Sequence, residues 1–290
     1  MYNKNNDVEQ LVEETIDINK NSLGIKPFLK WAGGKTQLLQ ELHKYIPLNF
    51  NKYIEPFIGG GAMYFSINSN NSIISDSNSE LIIAYQQVRD QVNDVIEILS
   101  TFENNSEFYY DLRQKNPEEL SNNYRAARLI YLNKTCFNGL YRVNKKGQFN
   151  VPYGKGNSNF LNKNNLKSAS EFLSNTEIIN DDYINILQNY AENNDFIFLD
   201  PPYHPVGKHS DFKRYTKDFF YVEDQIKLKN EFDRLVNLGC NVLLTNSDHE
   251  FILDLYSDYE IKIIETKRMI SSNAKTRKGK DIIVIGKSRG

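Results

Sequence analysis

The sequence predicts an α/β fold with a mostly parallel sheet that is interrupted once by a helical and basic insert. Short apolar runs bounded by turn residues alternate with helical patterns, which is typical of a parallel sheet with crossover helices. Between about 81 and 166 this alternation stops, and the pattern becomes helical and rich in lysine and arginine. The chain has 290 residues, 40% of them hydrophobic, and can bury the core of one large domain or two smaller ones.

Seven apolar runs predict strands, and four stretches between them have the periodicity of helices. We expect strands at Tyr53–Phe57, Ser72–Ser75, Glu177–Ile179, Phe196–Leu199, Asn241–Thr245, Glu260–Glu265 and Asp281–Ile285. We expect helices at Thr36–Tyr45, Asp182–Glu192, Val222–Leu238 and Glu250–Leu255.

The same patterns suggest how the chain is divided. Residues 1–24 are rich in Asn and Glu with weak periodicity, and they predict a loose N-terminal extension. The alternating strands and helices assign 25–84 and 167–290 to one domain, and 85–166 is the candidate second domain. Within that insert, Phe137–Asn150 predicts a β-hairpin whose turn lies at Lys145-Lys146-Gly147.

Composition excludes several classes of protein. No apolar stretch approaches the roughly 18 residues of a membrane-spanning helix, and the polar start does not resemble a signal peptide. We therefore expect a cytoplasmic protein with no membrane partner. The two cysteines, Cys136 and Cys240, support neither a disulfide framework nor a zinc site.

The net charge of -2 conceals a strong segregation of charge along the chain. Between Arg113 and Lys167 there are eleven lysines and arginines and two glutamates, a net charge of +9. Between Lys262 and Arg289 there are nine against one glutamate and one aspartate, a net charge of +7. Basic clusters of this kind are typical of nucleic-acid binding.

The tetrapeptide Asp200-Pro201-Pro202-Tyr203 follows the apolar run Phe196–Leu199, at the carboxyl end of a predicted strand, where ligands bind in α/β sheets. The Asp200 carboxylate and the Pro201 carbonyl are both acceptors, and prolines restrict the direction of the main chain. Two acceptors suit an exocyclic NH2 group, and an extracted base stacked on Tyr203 would gain roughly 1 to 3 kcal/mol. The alternative is a proline-rich turn after a core strand.

A glycine-rich turn, Gly59-Gly60-Gly61, follows the strand predicted at Tyr53–Phe57, and Asp76 ends the next strand. Glycines let a bulky ligand approach the backbone, and a carboxylate at this place binds ribose hydroxyls in α/β nucleotide sites. The alternative is a tight turn, with Asp76 capping a helix at Asn78–Tyr85. The pattern G-x-G-x-x-G is not met, which argues against an NAD enzyme.

A second glycine pair lies upstream, between Trp31 and Lys35. A phosphate-binding P-loop would need its first glycine at Leu29, so that interpretation fails. The segment suits a wall for a zwitterionic ligand, with Lys35 facing a carboxylate and Trp31 packing on the apolar part. A helix N-terminus with a buried tryptophan remains the alternative.

Five motifs in order resemble the Dam-type DNA adenine-N6 methyltransferases: LKWAGGK (29–35), EPFIGGGA (55–62), CFNGLYRVN (136–144), NVPYG (150–154) and DPPY (200–203). The resemblance runs from about Pro27 to Ile285. It implies a Rossmann-like sheet that binds S-adenosylmethionine, interrupted by a target-recognition domain of helices and a β-hairpin. The cofactor would leave as S-adenosylhomocysteine, and no metal is implied.

The resemblance also implies roles for individual residues. Asp200, Pro201, Pro202 and Tyr203 would form the catalytic pocket for an adenine flipped out of duplex DNA. Asp182 matches the acidic position beside the cofactor adenine. The implied cofactor-binding residues are Trp31, Lys35, Glu55, Phe57, Gly59, Gly61, Asp76, Asp182, Tyr183 and Asp200.

Sequence recognition is implied for the hairpin, where Arg142 would read a guanine and Phe137 would fill the gap left by the base. Lys30 matches a position near the outer guanine. Gly156 departs from several relatives, which carry an aromatic residue there, so the first base pair of a GATC target stays open. The implied DNA-binding residues are Lys30, Phe137, Asn138, Leu140, Arg142, Asn144, Pro152, Lys275 and Arg277.

Other enzymes of DNA and RNA fit less well. A cytosine-C5 methyltransferase needs a nucleophilic cysteine after proline, and zinc deaminases need H-x-E with P-C-x-x-C, none of which is present. RNA or protein-glutamine methyltransferases usually carry Asn before the two prolines. A DNA-binding protein without catalysis is the non-enzyme alternative. A cognate restriction endonuclease is a candidate partner, since the resemblance includes restriction-modification and phage enzymes acting on GATC.

Overall fold

The computed structural model describes residues 25–31, 33–67, 69, 71–144, 146–154, 159–205, 220–267 and 278–287. The predicted extension at 1–24 lies outside the described residues, as do Gly156, Lys275 and Arg277. The predictions made for those positions therefore stay predictions.

A seven-stranded sheet forms the centre of the described structure, in the order β3-β2-β1-β4-β5-β7-β6. The first five strands in that order pair in parallel, whereas β7 pairs antiparallel with both β5 and β6. All seven predicted strands are confirmed. Their bounds are β1 Tyr53–Glu55, β2 Ser72–Asp76, β3 Thr176–Asn180, β4 Phe196–Leu199, β5 Asn241–Ser247, β6 Glu260–Lys267 and β7 Lys278–Gly286.

Helices cover both faces of the sheet. Three predicted helices are confirmed within two residues of their expected ends, at α7, α8 and α9. Within the described ranges, no helix has the length and apolar character needed to cross a bilayer. The helices are α1 Leu39–Leu42, α2 Ser79–Asp90, α3 Val92–Ser100, α4 Ser106–Gln114, α5 Asn122–Thr135, α6 Lys163–Leu173, α7 Tyr183–Tyr190, α8 Val222–Leu238 and α9 Glu250–Leu255.

The continuous helix predicted at Thr36–Tyr45 was wrong. The chain instead forms a 3-10 turn at Lys35–Gln37, the single α-helical turn α1, and another 3-10 turn at His43–Tyr45. Ile46 leaves the helix with an extended ψ of 128° because Pro47 follows it, and the helical conformation is disfavoured for a residue before proline.

The first strand is also shorter than expected, since β1 ends at Glu55 and not at Phe57. Pro56 has no N–H and cannot continue a ladder between two strands. Because β1 lies in the centre of the sheet, the chain turns at this proline toward the glycine-rich segment.

The inserted helices share a core with one face of the sheet. Phe28, Tyr85, Leu112 and Tyr131 are all buried in one hydrophobic cluster with the sheet residue Ile74. A second cluster on the other face packs α7, α8 and α9 against the sheet. The basic insert is therefore anchored on the sheet through apolar contacts, which fixes its position relative to the strand ends.

The hairpin expected at Phe137–Asn150 forms without regular strands. Its two arms meet in two isolated antiparallel bridges, Cys136 with Tyr153 and Val143 with Phe149. Residues 137–139 form a 3-10 turn instead of extended chain. The turn itself is where it was expected, with Gly147 at a φ of 77° that favours glycine.

Candidate active site

Three carboxylates lie at the carboxyl ends of parallel strands: Glu55 at the end of β1, Asp76 at the end of β2 and Asp200 after β4. Because β2, β1 and β4 are neighbours, their ends meet at one edge of the sheet. Ligands bind at this edge in open α/β sheets. The structure therefore places these three carboxylates at one edge of the sheet.

Asp200 contacts two side chains from other parts of the chain. Its Oδ1 lies 2.6 Å from the Lys35 ammonium and accepts a hydrogen bond of 2.7 Å from the Thr245 hydroxyl. The same ammonium lies 4.7 Å from the centre of the Tyr203 ring and donates to the Gly33 carbonyl at 2.5 Å. Lys35 was expected to face the carboxylate of a ligand, but here it is buried against Asp200.

Glu55 is buried beneath this pair and accepts a hydrogen bond of 2.6 Å from the Tyr53 hydroxyl. Burial raises the pKa of Glu55 well above its ordinary value, and the charge of Asp200 raises it further. Burial likewise raises the pKa of the Tyr203 phenol, with the charge of Asp200 adding to the effect. The surroundings of Glu55 thus favour its protonated form, and Asp200 beside it is paired with Lys35.

Asp76 contacts the glycine-rich turn directly. Its carboxylate accepts from the Gly59 N–H at 3.3 Å and from the Asn78 N–H at 3.0 Å. Burial raises the pKa of Asp76 to about 6, although these two hydrogen bonds oppose the shift. Asn78, not Asp76, caps helix α2, by accepting from the Leu81 N–H. The carboxylate of Asp76 is therefore not used as a helix cap.

Trp31 and the glycine turn pack together. The indole stacks on the Tyr141 ring, with centres 4.7 Å apart and planes 19° apart. Gly59 has a φ of +46°, and a Cβ there would lie 2.8 Å from Cδ1 of Trp31. Gly61 has a φ of +71°. Both positions require glycine because of the backbone conformation, and Gly59 also because of the indole.

An aromatic cluster lies beside the turn. Phe57 and Tyr183 have ring centres 5.0 Å apart, and the Phe220 ring lies 6.2 Å from Phe57 and 6.1 Å from Tyr183. Asp182 caps α7 by accepting from the Ile184 N–H at 2.9 Å, and its side chain is exposed. The end of β3 therefore carries a cluster of packed rings beside one exposed carboxylate.

Four residues that hold the loop after β4 were not identified from the sequence: Gln225, Thr245, Asn246 and Ser247. All four are buried polar residues, three at the end of β5 and one in the first turn of α8. Burial of unpaired polar groups is costly, so such residues indicate a built hydrogen-bond network. The only signal in the sequence was the polar end of an otherwise apolar strand.

In the hairpin, Arg142 is paired with a residue of the opposite arm. Its Nε donates to Oδ1 of Asn150 at 2.8 Å, and the Asn150 N–H donates to the Arg142 carbonyl at 3.0 Å. Asn144 stabilises the turn instead, since its Oδ1 accepts from the N–H groups of Lys146 and Gln148. The guanidinium of Arg142 is thus oriented by a side chain across the hairpin.

The other residues expected to contact DNA lie near the start and end of the hairpin. Phe137 is 52% exposed although it is a large aromatic residue, and Asn138 is exposed with a φ of 57°. Pro152 is exposed and its carbonyl accepts from the Phe137 N–H, whereas Leu140 packs against the core. Lys30 is exposed, and the buried Asn133 bonds to both its N–H and its carbonyl at 2.7 Å.

A family model described as D12 class N6 adenine-specific DNA methyltransferase matches residues 31–270 of the chain. The chain belongs to this family. The match spans the glycine turn, the insert and the Asp200 loop, which are the elements that form the site described above.

Individual methyltransferases are similar over most of their length. The Type II methyltransferase M.MjaIII of Methanocaldococcus jannaschii is 42% identical over 277 residues, covering 88% of this chain and 96% of the relative. The Type II methyltransferase M1.LlaDCHI of Lactococcus lactis subsp. cremoris is 40% identical over 269 residues, covering 90% and 94%. The DNA adenine methylase of Escherichia coli K12 is 30% identical over 260 residues, covering 88% and 93%.

As a member of the D12 class, the chain is an enzyme that methylates N6 of adenine in DNA, with S-adenosylmethionine as methyl donor. The seven-stranded sheet is the fold expected of such an enzyme. In the part of the chain that the structure describes, no cluster of three or more His, Cys, Asp or Glu side chains is arranged to hold a metal ion.

Proposed function

We propose that this methyltransferase extracts the adenine of GATC from duplex DNA and holds it in the pocket formed by Asp200, Pro201, Pro202 and Tyr203. The arrangement of Lys35 carries the proposal. Its ammonium lies 2.6 Å from Asp200 and 4.7 Å from the centre of the Tyr203 ring, so an N–H donor already occupies the space between carboxylate and ring. The amine of adenine is also an N–H donor, on a ring that can stack.

The chemistry rests on positioned acceptors. The lone pair of adenine N6 is delocalised into the ring, so the free amine is a poor nucleophile. Hydrogen bonds from the amine to the Asp200 carboxylate and the Pro201 carbonyl would favour a pyramidal nitrogen with its lone pair directed at the methyl group. When bound, S-adenosylmethionine supplies an electrophilic methyl group and leaves as S-adenosylhomocysteine. Because no side chain acts as nucleophile, positioning supplies much of the rate.

The chemistry of the nearby side chains fits the cofactor. Asp76 offers acceptors for the ribose hydroxyls of the cofactor. The rings of Phe57 and Tyr183, with Asp182 beside them, would contact the adenine of the cofactor. Once the cofactor carboxylate is present, Lys35 can pair with it and release Asp200. The proposed cofactor-binding set is Trp31, Lys35, Glu55, Phe57, Gly59, Gly61, Asp76, Asp182, Tyr183 and Asp200.

Cofactor affinity should depend on pH through Asp76. The pKa of this carboxyl is about 6, so the carboxylate that accepts from hydroxyls is present above that pH and is lost as pH falls through it. We expect the Kd of S-adenosylhomocysteine, measured by calorimetry, to rise about fivefold as pH falls through 6. Asp76→Asn should remove this dependence, whereas Asp90→Asn, at the far end of helix α2, should keep it. Equal slopes in all three proteins would exclude Asp76.

Gly59→Ala should displace Trp31, because the added Cβ would lie 2.8 Å from the indole. Trp31 is the only tryptophan of the chain, so intrinsic tryptophan fluorescence reports on it alone. We expect a red-shifted emission and roughly tenfold weaker binding of S-adenosylhomocysteine. Gly147→Ala is the matched control, since it strains a positive φ in the hairpin turn instead. An unchanged emission of Gly59→Ala would show that the turn does not hold the indole.

On the DNA side, we propose that the insert at 85–166 is the target-recognition domain. Arg142 would read a guanine, Phe137 would fill the space left by the adenine, and Lys30 would lie at the outer guanine. The net charge of +9 between Arg113 and Lys167 supports contact with phosphates. The remaining proposed DNA contacts are Asn138, Leu140, Asn144, Pro152, Lys275 and Arg277.

Two further parts of the proposal concern what the enzyme needs. We propose that methyl transfer requires no metal ion. Chelation of divalent cations should therefore leave its rate unchanged. We also propose a cognate restriction endonuclease as a partner in the cell, because two similar proteins are named Type II methyltransferases. Death of cells that lose the methyltransferase gene, rescued by another enzyme that methylates the same sites, would support this role.

A panel of duplexes tests the target sequence. Labelled S-adenosylmethionine is supplied with a GATC duplex and with duplexes in which each base pair is changed in turn, and the methylated nucleoside is identified. We expect N6-methyladenine in GATC. For each changed pair, kcat/KM should fall by a factor equivalent to roughly 1 to 3 kcal/mol. N6-methyladenine in a different tetranucleotide would overturn the assignment of the target while leaving the chemistry intact.

A further inference from the structure

Two buried amides, Gln225 and Asn246, connect α8 to the end of β5 directly behind the Asp200 loop. Both side chains are 0% exposed, and their hydrogen bonds go to each other and to main-chain groups. Burying an amide side chain destabilises the fold unless its donors and acceptors form hydrogen bonds. What they bond to therefore indicates why they are there.

The hydrogen bonds of Asn246 fix the orientation of both amides. Its Oδ1 accepts from the main-chain N–H groups of His204 at 3.1 Å and Ser247 at 2.8 Å. Its Nδ2 must then point the other way, where it donates to Oε1 of Gln225 at 3.0 Å. The NH2 group of Gln225 is thereby directed at the Pro202 carbonyl, to which it donates at 3.1 Å. Neither amide can rotate by 180° without placing like groups together.

This network holds the main chain on both sides of Tyr203. The carbonyl of Pro202, just before Tyr203, is bound by Gln225, and the N–H of His204, just after it, is bound by Asn246. Ser247 adds a third bond of 2.8 Å to the His204 carbonyl. With both neighbouring peptide groups held, the ring of Tyr203 and the direction of the adjoining Pro201 carbonyl are restricted.

We propose that Gln225 and Asn246 are positioning residues for the adenine pocket, acting through Pro202 and His204 and not through contact with the base. This rests on the proposed role of Asp200, Pro201 and Tyr203 in holding the target adenine. Because a displacement of about 1 Å can reduce a rate about 100-fold, the network should affect methyl transfer more than binding.

The first test is Gln225→Met, which keeps the length of the side chain and removes both hydrogen bonds. At saturating DNA and S-adenosylmethionine, we expect the single-turnover rate of methyl transfer to fall about 10-fold to 100-fold. The Kd of each ligand should change less than about threefold. Gln86→Met is the matched control, because Gln86 also donates to a main-chain carbonyl, that of Ile178, but away from the loop.

A second variant separates positioning from loss of folding. In Gln225→Glu, the protonated carboxyl group matches the amide, since it can donate to Pro202 and accept from Asn246. The ionised group would instead face the Pro202 carbonyl with an oxygen. Burial raises the pKa of such a group, so the rate relative to wild type should recover as pH falls. A residue with a merely structural role would not produce this pH profile.

The outcomes distinguish this proposal from the proposed function. Rates like wild type in both Gln225 variants, with an inactive Asp200→Asn variant, would overturn the positioning role alone. Equal weakening of DNA binding and of the rate in Gln225→Met, with no recovery of Gln225→Glu at low pH, would overturn it as well. Activity of the Asp200 variant would instead overturn the pocket itself.

Discussion

Asp200→Asn should reduce methyl transfer about 100-fold to 1000-fold, because a neutral amide oxygen is a weaker acceptor than a carboxylate for the adenine amine, and the same oxygen must also accept from Thr245. Asparagine keeps the size of the side chain and an oxygen for the Thr245 hydroxyl, which now bonds to Asp200 at 2.7 Å. We prefer it to alanine because Lys35 is buried, and the amide oxygen still gives its ammonium an acceptor that alanine would remove. The rate is measured in a single turnover with labelled cofactor.

A control variant and two further measurements test whether the loss of rate is specific to Asp200. Asp254→Asn, an exposed position on α9, should leave the rate unchanged. The thermal unfolding of Asp200→Asn should remain cooperative, and its binding of duplex DNA should be close to that of wild type. Turnover like that of wild type would refute the role of Asp200 as an acceptor for the target amine.

Arg142→Ala should relax recognition of one base pair. An arginine that bonds bidentately to guanine contributes about 1 to 3 kcal/mol of discrimination, which corresponds to roughly 5-fold to 150-fold in kcat/KM. The bond from its Nε to Asn150 leaves the terminal nitrogens of the guanidinium to face a base. The measurement compares kcat/KM for GATC with that for duplexes changed at each position.

Lys146→Ala provides the comparison, because Lys146 is exposed in the hairpin turn and is expected to contact phosphate. It should weaken methylation of all sequences equally and reduce the salt dependence of binding. If Arg142→Ala instead lowers kcat/KM by the same factor on every duplex, Arg142 contacts the backbone and another residue reads the guanine.

The sheet could be predicted from the sequence because buried parallel strands are short apolar runs. Phe196–Leu199 was located to the residue, and the tetrapeptide after it was placed at a strand end for the same reason. The errors were local. Pro56 ended β1 early and Pro47 ended a helical pattern, and in both places the rules for proline were sufficient to find the boundary.

The site was only partly visible in the sequence because its partners are far apart in the chain. Neither the pairing of Lys35 with Asp200 nor the contact of Thr245 with Asp200 leaves a local pattern. Gln225 lies in an amphipathic helix, where a polar residue is expected to face solvent, yet it is buried. Such long-range pairs depend on the completed fold.

The most direct test is a crystal structure with S-adenosylhomocysteine and a duplex that contains one GATC site. We expect the target adenine outside the helix, its N6 within hydrogen-bond distance of the Asp200 carboxylate and the Pro201 carbonyl, and its ring against Tyr203. Lys35 should have left Asp200, and Arg142 should contact a guanine. An adenine amine bound by other residues, or an Asp200 still paired with Lys35 beside a flipped adenine, would contradict the proposed pocket.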